Sequence, residues 1–350
     1  MGQTHIIGSI LGTAVGDAIG LPYEGLSRRR AAKLLGWPNR HRFFFGRGMV
    51  SDDTEHTCMV AQSLIASGKN VSEFQRQLAW RFRFWLLSLP AGIGLATLRS
   101  ILRLWMGFSP HQSGVFSAGN GPAMRAAILG VAIREPVRLR EFVRASSRIT
   151  HTDPKAESGA LTIALAAQIA CQTENVSGDD FLRQLKSCIG KEASQLTSLI
   201  HQAVDSVNSG KSTAQFATQL GLAKGVSGYV EHSVPVAIHA WLSNQQDFRA
   251  AIITTVECGG DTDSTAAMVG GIVGAAVGKE GIPSSWLNRL LESPRSIRWM
   301  ERLARQLDSS IQSATPEQPI KLSFLNLLLR NLFFLVIVLF HGFRRLLPPY

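Results

Sequence analysis

Apolar residues recur along most of this chain at helical rather than alternating spacing. Ile6, Ile7, Ile10, Leu11, Ala14 and Val15 follow an i, i+3/i+4 rhythm, as do Leu161, Leu165 and Ile169, and Ile252 with Val256. Each such stretch presents one face to a core. Strand-like alternation of useful length is absent, and turn residues separate the apolar stretches. Ser72 ahead of Glu73-Phe74, and Asp153 ahead of Pro154, carry helix-start chemistry. The pattern predicts an all-α protein of a dozen or more helices joined by functional loops. No fixed-period repeat is present, which argues against a solenoid.

The pattern changes near the C-terminus. Ser309–Pro319 is polar and contains proline, as a linker does. Beyond it Ile320–Phe343 is apolar, with nine apolar residues in succession from Leu332 to Phe340, interrupted earlier by Asn326, Arg330 and Asn331. At ~1.5 Å per residue such a helix is long enough to reach across a bilayer. Arg330 at its centre would cost ~2.5–3.5 kcal/mol, and Arg344 and Arg345 suit a headgroup region. The expected division is a main domain over residues 1–308, a linker over 309–319 and a membrane-associated tail over 320–350. The tail either spans the bilayer or lies in its interface, and a helix packed on the main core is the competing reading.

Composition narrows the class. The 350 residues are 45% hydrophobic and only 17% charged, enough for a large core and sparse for a freely soluble surface. Lys and Arg number 36 against 25 Asp and Glu, a net +11 that points to phosphates, a lipid surface or nucleic acid as partners. The excess is regional. Gly25–Val50 holds seven Lys/Arg and no acid, and Phe74–Arg134 holds seven Arg and no acid. No nucleic-acid motif accompanies either stretch, so nucleic acid is the weakest of the three. Four scattered cysteines form no CxxC pair, and Asp17 breaks the first apolar run, so neither a disulfide framework nor a signal peptide is expected. The expected compartment is the cytoplasm.

Two acidic clusters carry the candidate chemistry. Ser51-Asp52-Asp53-Thr54-Glu55 precedes one apolar helix, and Gly259-Gly260-Asp261-Thr262-Asp263-Ser264 opens another. Either alone reads as a helix cap. Together they concentrate carboxylates and hydroxyls beside apolar segments, where uncompensated charge costs several kcal/mol per group. A hard cation, Mg²⁺, Mn²⁺ or Ca²⁺, is the natural neutraliser of an all-oxygen set. Three further elements accompany them: Gly16–Glu24 with Asp17 and Glu24, the loop Gly119-Asn120-Gly121-Pro122, and Thr150-His151-Thr152-Asp153-Pro154. A glycine loop feeding a helix can present N–H groups to phosphate.

The ordered set GDAIGLPYE, SDDTE, GNGPAMR, THTDP and GGDTDS resembles the ADP-ribosylglycohydrolase family, which includes the dinitrogenase reductase-activating glycohydrolases. The resemblance runs from about Ile6 to Gly278. It implies one large orthogonal all-α domain with two Mg²⁺ or Mn²⁺ ions below an ADP-ribose cleft, here followed by the hydrophobic C-terminal helix. It implies metal ligands at Ser51, Asp52, Asp53, Asp261, Asp263 and Ser264, with serine where relatives often carry threonine. Glu24 and Asp53 take the catalytic positions. Gly119, Asn120, Gly121 and His151 take those that contact ADP-ribose, and Asp17 a structural one. Many relatives place an aromatic before that glycine, where this chain has Ala118 with Phe116 nearby. The implied activity is removal of ADP-ribose from a modified protein side chain or related acceptor, the binuclear site orienting the distal ribose and activating water. Hydrolysis of another ribosyl bond in a small nucleotide metabolite, or a catalytically silent ADP-ribose-binding module, are the alternatives.

Overall fold

Small residues spaced four apart let two helices at the centre of the molecule touch backbone to backbone. The computed structural model describes residues 2–190 and 193–348, and among them finds eighteen α-helices and isolated bridges but no strand, as the apolar spacing predicts. Nine helices position the site: α1 (Gln3–Gly20), α2 (Asp52–Ser67), α3 (Val71–Leu87), α4 (Leu95–Trp105), α5 (Pro154–Ala170), α6 (Val230–Ser243), α7 (Thr262–Val277), α8 (Ile297–Ser313) and α9 (Phe324–Arg344).

Helix α1 is buried all round from Ile6 to Gly20, as an evenly apolar helix must be. Its Gly8, Gly12, Gly16 and Gly20 face Gly274, Gly270, Ala266 and Thr262 of antiparallel α7. A Cβ added at any of the four would come within 2.0–2.4 Å of a carbonyl oxygen opposite. Alanine at these positions would therefore force the helices apart. This seam brings Asp17, near the end of α1, beside the start of α7, and Thr262 Oγ1 donates to the Gly20 carbonyl at 2.9 Å.

Helix starts follow local chemistry. Asp153 caps α5 through Lys155 N at 2.9 Å, as expected. For α3 the cap is Asn70, which accepts from Glu73 N at 2.8 Å, two residues ahead of Ser72. The polar segment also begins later than its composition indicates. Ser309–Ser313 are the last residues of α8, and the extended stretch starts at Ala314. That stretch is laid on the domain: Glu317 N donates to the Ile65 carbonyl at 3.1 Å and Gln62 Nε2 to the Ile320 carbonyl at 2.8 Å.

Helix α9 then docks one face on the domain. Arg330 and Asn331, which look costly in an apolar helix, are buried and paired there. Arg330 pairs with Glu292 and lies 3.6 Å from Glu55, while Asn331 Nδ2 donates to the Ser88 carbonyl at 2.8 Å. Phe334 and Ile337 pack with Leu21, Phe43 and Met49. All four cysteines are free, with Cys58 and Cys258 buried.

Candidate active site

The two acidic clusters, about 200 residues apart in the chain, meet at one carboxylate. Ser51 caps α2, and its hydroxyl donates to Asp53 Oδ2 at 2.8 Å; Ser264, in the first turn of α7, donates to the same oxygen at 3.4 Å. Asp17 fixes the entry into α2 from below. It accepts Ser51 N at 2.9 Å, Thr54 N at 3.3 Å and Thr54 Oγ1 at 2.6 Å. Burial pushes its carboxyl up to about 7, with these hydrogen bonds pulling the other way. Its role is thus to hold the loop, as the resemblance implies.

The turn before α7 needs glycine. Gly259 and Gly260 have φ of +70° and +82°, and a Cβ at Gly260 would sit 1.9 Å from the Val226 carbonyl oxygen. Gly260 in turn exchanges hydrogen bonds with the loop after Glu24: Gly25 N donates to its carbonyl at 2.7 Å, and Gly260 N to the Leu26 carbonyl at 2.9 Å. Glu24 is thereby held beside Asp261 and Asp263 while opening on the cleft.

The glycine loop joins the same assembly. Asn120 N donates to the Gly228 carbonyl at 2.9 Å, and Asn120 Nδ2 donates to Asp261 Oδ2 at 2.6 Å. Asn120 therefore orients an acidic side chain of the floor as well as lining the cleft. Gly119 and Gly121 lie against the His151 ring, where added Cβ atoms would come within 3.0 and 2.9 Å of it. Burial, with Arg125 nearby, drops the His151 imidazole to about 3, so it is neutral at physiological pH. It can offer a neutral nitrogen or a flat face to a ligand, not a positive charge.

Sequence reasoning passed over two groups. Arg125 is completely buried and donates to the carbonyls of Gly121 (2.8 Å) and Ser146 (3.0 Å) and to Thr150 Oγ1 (2.8 Å), tying the glycine loop to the His151 loop. An arginine inside the apolar run Ala123–Ile133 was the available signal. The second group is on α9: Phe334 and Val338 line the cleft, and Arg345 at the helix end donates to the Pro22 carbonyl at 3.1 Å. Nothing in the sequence pattern connected this segment to a site some 300 residues earlier. Ala118 packs against the core and Phe116 is exposed away from the cleft lining, so neither places an aromatic ring in it.

The cleft has a volume of about 620 Å³, in the range that holds a nucleotide-sized ligand. Its floor is strongly electronegative. Burial, reinforced by neighbouring carboxylates, pushes Asp52, Asp53 and Asp263 well above the usual carboxylate range. Asp261 is raised by burial, and Glu24 by burial and then by the Asp261 charge, with Arg345 pulling Glu24 back. Asp53 Oδ1 is buried without a hydrogen-bond partner. An orphaned carboxylate oxygen among mutually repelling carboxylates and two hydroxyls fits a hard divalent cation. Among the described residues no three acidic, histidine or cysteine side chains are drawn close enough to form a ready-made cage. The serine hydroxyls instead hold Asp53, and Asn120 holds Asp261.

Known proteins resemble this chain in sequence and fold. The family model described as ADP-ribosylglycohydrolase matches residues 3–317. An ADP-ribosyl-[dinitrogen reductase] glycohydrolase of Rhodospirillum rubrum is 30% identical over 321 residues, covering 88% of this chain and 96% of its own. The ADP-ribosylhydrolase ARH3 of Gallus gallus is 28% identical, covering 80% and 87% respectively. A solved structure described as an ADP-ribosylglycohydrolase-related protein complex superposes with a TM-score of 0.65 at 24% identity, over 88% of this chain and 98% of that one, a likeness of fold.

Proposed function

The chain belongs to the ADP-ribosylglycohydrolase family, and from that premise we propose that it is a metal-dependent hydrolase that removes ADP-ribose from a modified protein side chain or related acceptor. The observation that carries this reading is the meeting of the two acidic clusters at Asp53 through Ser51 and Ser264. Ser51, Asp52, Asp53, Asp261, Asp263 and Ser264 would hold two Mg²⁺ or Mn²⁺ ions. When bound, the ions supply positive charge that orients the ribose hydroxyls and lowers the pKa of a water molecule.

The protein's own groups divide the remaining work. Cleavage at ribose C1 passes through an oxocarbenium-like state, so the departing atom needs a proton and the arriving water must lose one. Glu24 is the most exposed of the carboxylates that line the cleft, and its raised carboxyl suits proton exchange at the departing atom. To Asp53, held by two hydroxyls at the floor, we assign acceptance of the water's proton. The glycine loop and neutral His151 also line the cleft; the Gly119 and Asn120 N–H groups are given to Ser117 Oγ and the Gly228 carbonyl, so the loop's contact with a diphosphate falls to Gly121 at the start of its short helix. We place the chain in the cytoplasm, with α9 against a membrane surface.

The test is release of ADP-ribose from ADP-ribosyl-arginine and ADP-ribosyl-serine, with Mg²⁺, Mn²⁺ or EDTA. Metal-dependent release, lost in Asp261→Ala, is expected. Tight ADP-ribose binding without release from either substrate would identify a silent binding module instead. Full activity in Asp261→Ala would overturn the site assignment.

A further inference from the structure

The outer face of α9 is an apolar stripe with no partner among the described residues. Leu325, Leu329, Leu332, Val336, Phe340 and Phe343 recur three or four residues apart, all exposed, with Leu347 continuing the row past the helix end. At ~1.5 Å per residue the helical row from Leu325 to Phe343 is ~27 Å long, and contiguous apolar exposure on this scale marks an interaction surface.

The stripe does not end at the edges of α9. On one side Phe44 meets Phe333 edge-on at 5.3 Å and Phe45 at 4.8 Å, and Phe45 is 93% exposed. On another, Phe324 and Leu327 share a groove of about 640 Å³ with Trp80, Phe84 and Arg81 of α3. These flanks belong to the two acid-free basic stretches, Gly25–Val50 and Phe74–Arg134. Arg40 and Arg47 in the first are exposed, whereas Arg76 in the second is paired with Glu73. An apolar strip with a cationic border at Arg40 and Arg47 and the exposed Arg344 at its end is complementary to an anionic bilayer. A second copy of this chain would set like-charged borders against each other, which disfavours a dimer through this face.

The inner face fixes the geometry. Arg330 and Asn331 are spent on Glu292, Glu55 and Ser88. Pulling α9 away to cross a bilayer would strand a buried carboxylate at Glu292 and carry an arginine into hydrocarbon, each costing several kcal/mol. Phe334 and Val338, between the outward residues, line the cleft. Lipid-facing stripe and catalytic wall are thus opposite sides of one helix.

We infer that α9 lies flat in the interface of an anionic bilayer without crossing it, so that the cleft works beside the membrane and its substrates are ADP-ribosyl groups displayed at the membrane surface. The surface geometry stands by itself; the substrate class rests on the hydrolase reading above.

The test takes the full chain in two parts. The first is flotation, without substrate, on vesicles of phosphatidylcholine alone or mixed with phosphatidylglycerol. Binding to the mixed vesicles that weakens with salt is expected, and alkaline carbonate should strip the chain from them. Val336→Asp combined with Phe340→Asp, two outward positions, should reduce binding about tenfold or more. Failure to float, or resistance to carbonate, would overturn the in-plane geometry. So would a dimer in light scattering that this double variant dissolves without any change in flotation. The second part compares release from one ADP-ribosylated protein, free or tethered to the mixed vesicles. Faster release from the tethered form, lost in the double variant while release from the free form persists, is expected. Equal rates would overturn the substrate class. Absence of release from both forms, with flotation intact, would instead count against the hydrolase reading alone.

Discussion

Helix α2 carries two buried acidic neighbourhoods within its first turn, and they are balanced in opposite ways. Glu55 meets Arg295 directly, accepts a hydrogen bond from Trp85 Nε1 and lies 3.6 Å from Arg330, which also pairs with Glu292. Two carboxylates and two guanidinium groups make a neutral, closed set. One residue pair earlier, Asp52 and Asp53 face Asp261, Asp263 and Glu24, held by hydroxyls and an amide from Ser51, Ser264 and Asn120, with Arg345 acting on Glu24 and Asp263 but far short of balancing five carboxylates. The same helix therefore stores one balanced network, which joins elements, and one unbalanced network, which calls for a ligand. Burial of acid is common to both and diagnostic of neither; the supply of cation from within the chain separates them.

The comparison can be broken at four points. Glu55→Gln should cost the most stability, ~3–5 kcal/mol, because it leaves Arg295 buried without its counter-charge; urea denaturation reads this. Asp53→Asn, on the same turn, should leave the metal-free chain as stable or more so, while lowering turnover ~10²–10³-fold. If both variants destabilise equally, the two networks are alike and the distinction fails. Asn120→Ala should reduce turnover ~10–100-fold through misorientation of Asp261, with the loss appearing in Mg²⁺ affinity measured by calorimetry.

The smallest effect is in pH. Without metal, the floor carboxyls have folded pKa values above their ordinary values, so the folded state keeps protons that the unfolded chain releases. That contribution is complete below about pH 4 and is lost as pH rises, through about 7 for Asp17. The melting temperature in EDTA should fall between pH 5 and pH 8 on this account. Added Mg²⁺ should raise it more at pH 8 than at pH 5, since cation and proton compete for the same oxygens. An equal gain at both pH values would contradict a metal seat on these residues.

Much of this was legible from sequence for physical reasons. Helical spacing reports burial directly, so the all-α class followed from residues such as Ile6, Ile10 and Leu161. The acidic clusters stood out because carboxylates beside apolar runs are costly. What stayed hidden was pairing across distance. Arg330 looked like a flaw in an apolar helix because its partners, Glu292 and Glu55, are remote in sequence. Arg125 looked like one cation among many until its carbonyl partners were in view. Asn70 capped α3 in place of Ser72 because both residue types make good caps and only backbone geometry decides between them.

The glycine seam has a consequence in time. Gly8–Gly20 of α1 can find Gly274–Thr262 only after about 280 residues have been made. At ~5–20 residues per second a ribosome needs roughly 15–55 s for that length. Through that interval the first helix, apolar on every side, can rest only on earlier partners such as α2, whose Ser51 and Thr54 it holds through Asp17. The contact on which the catalytic floor is built is thus one of the last to form, and its earlier half must be kept from aggregating by chaperones or by provisional partners within the chain.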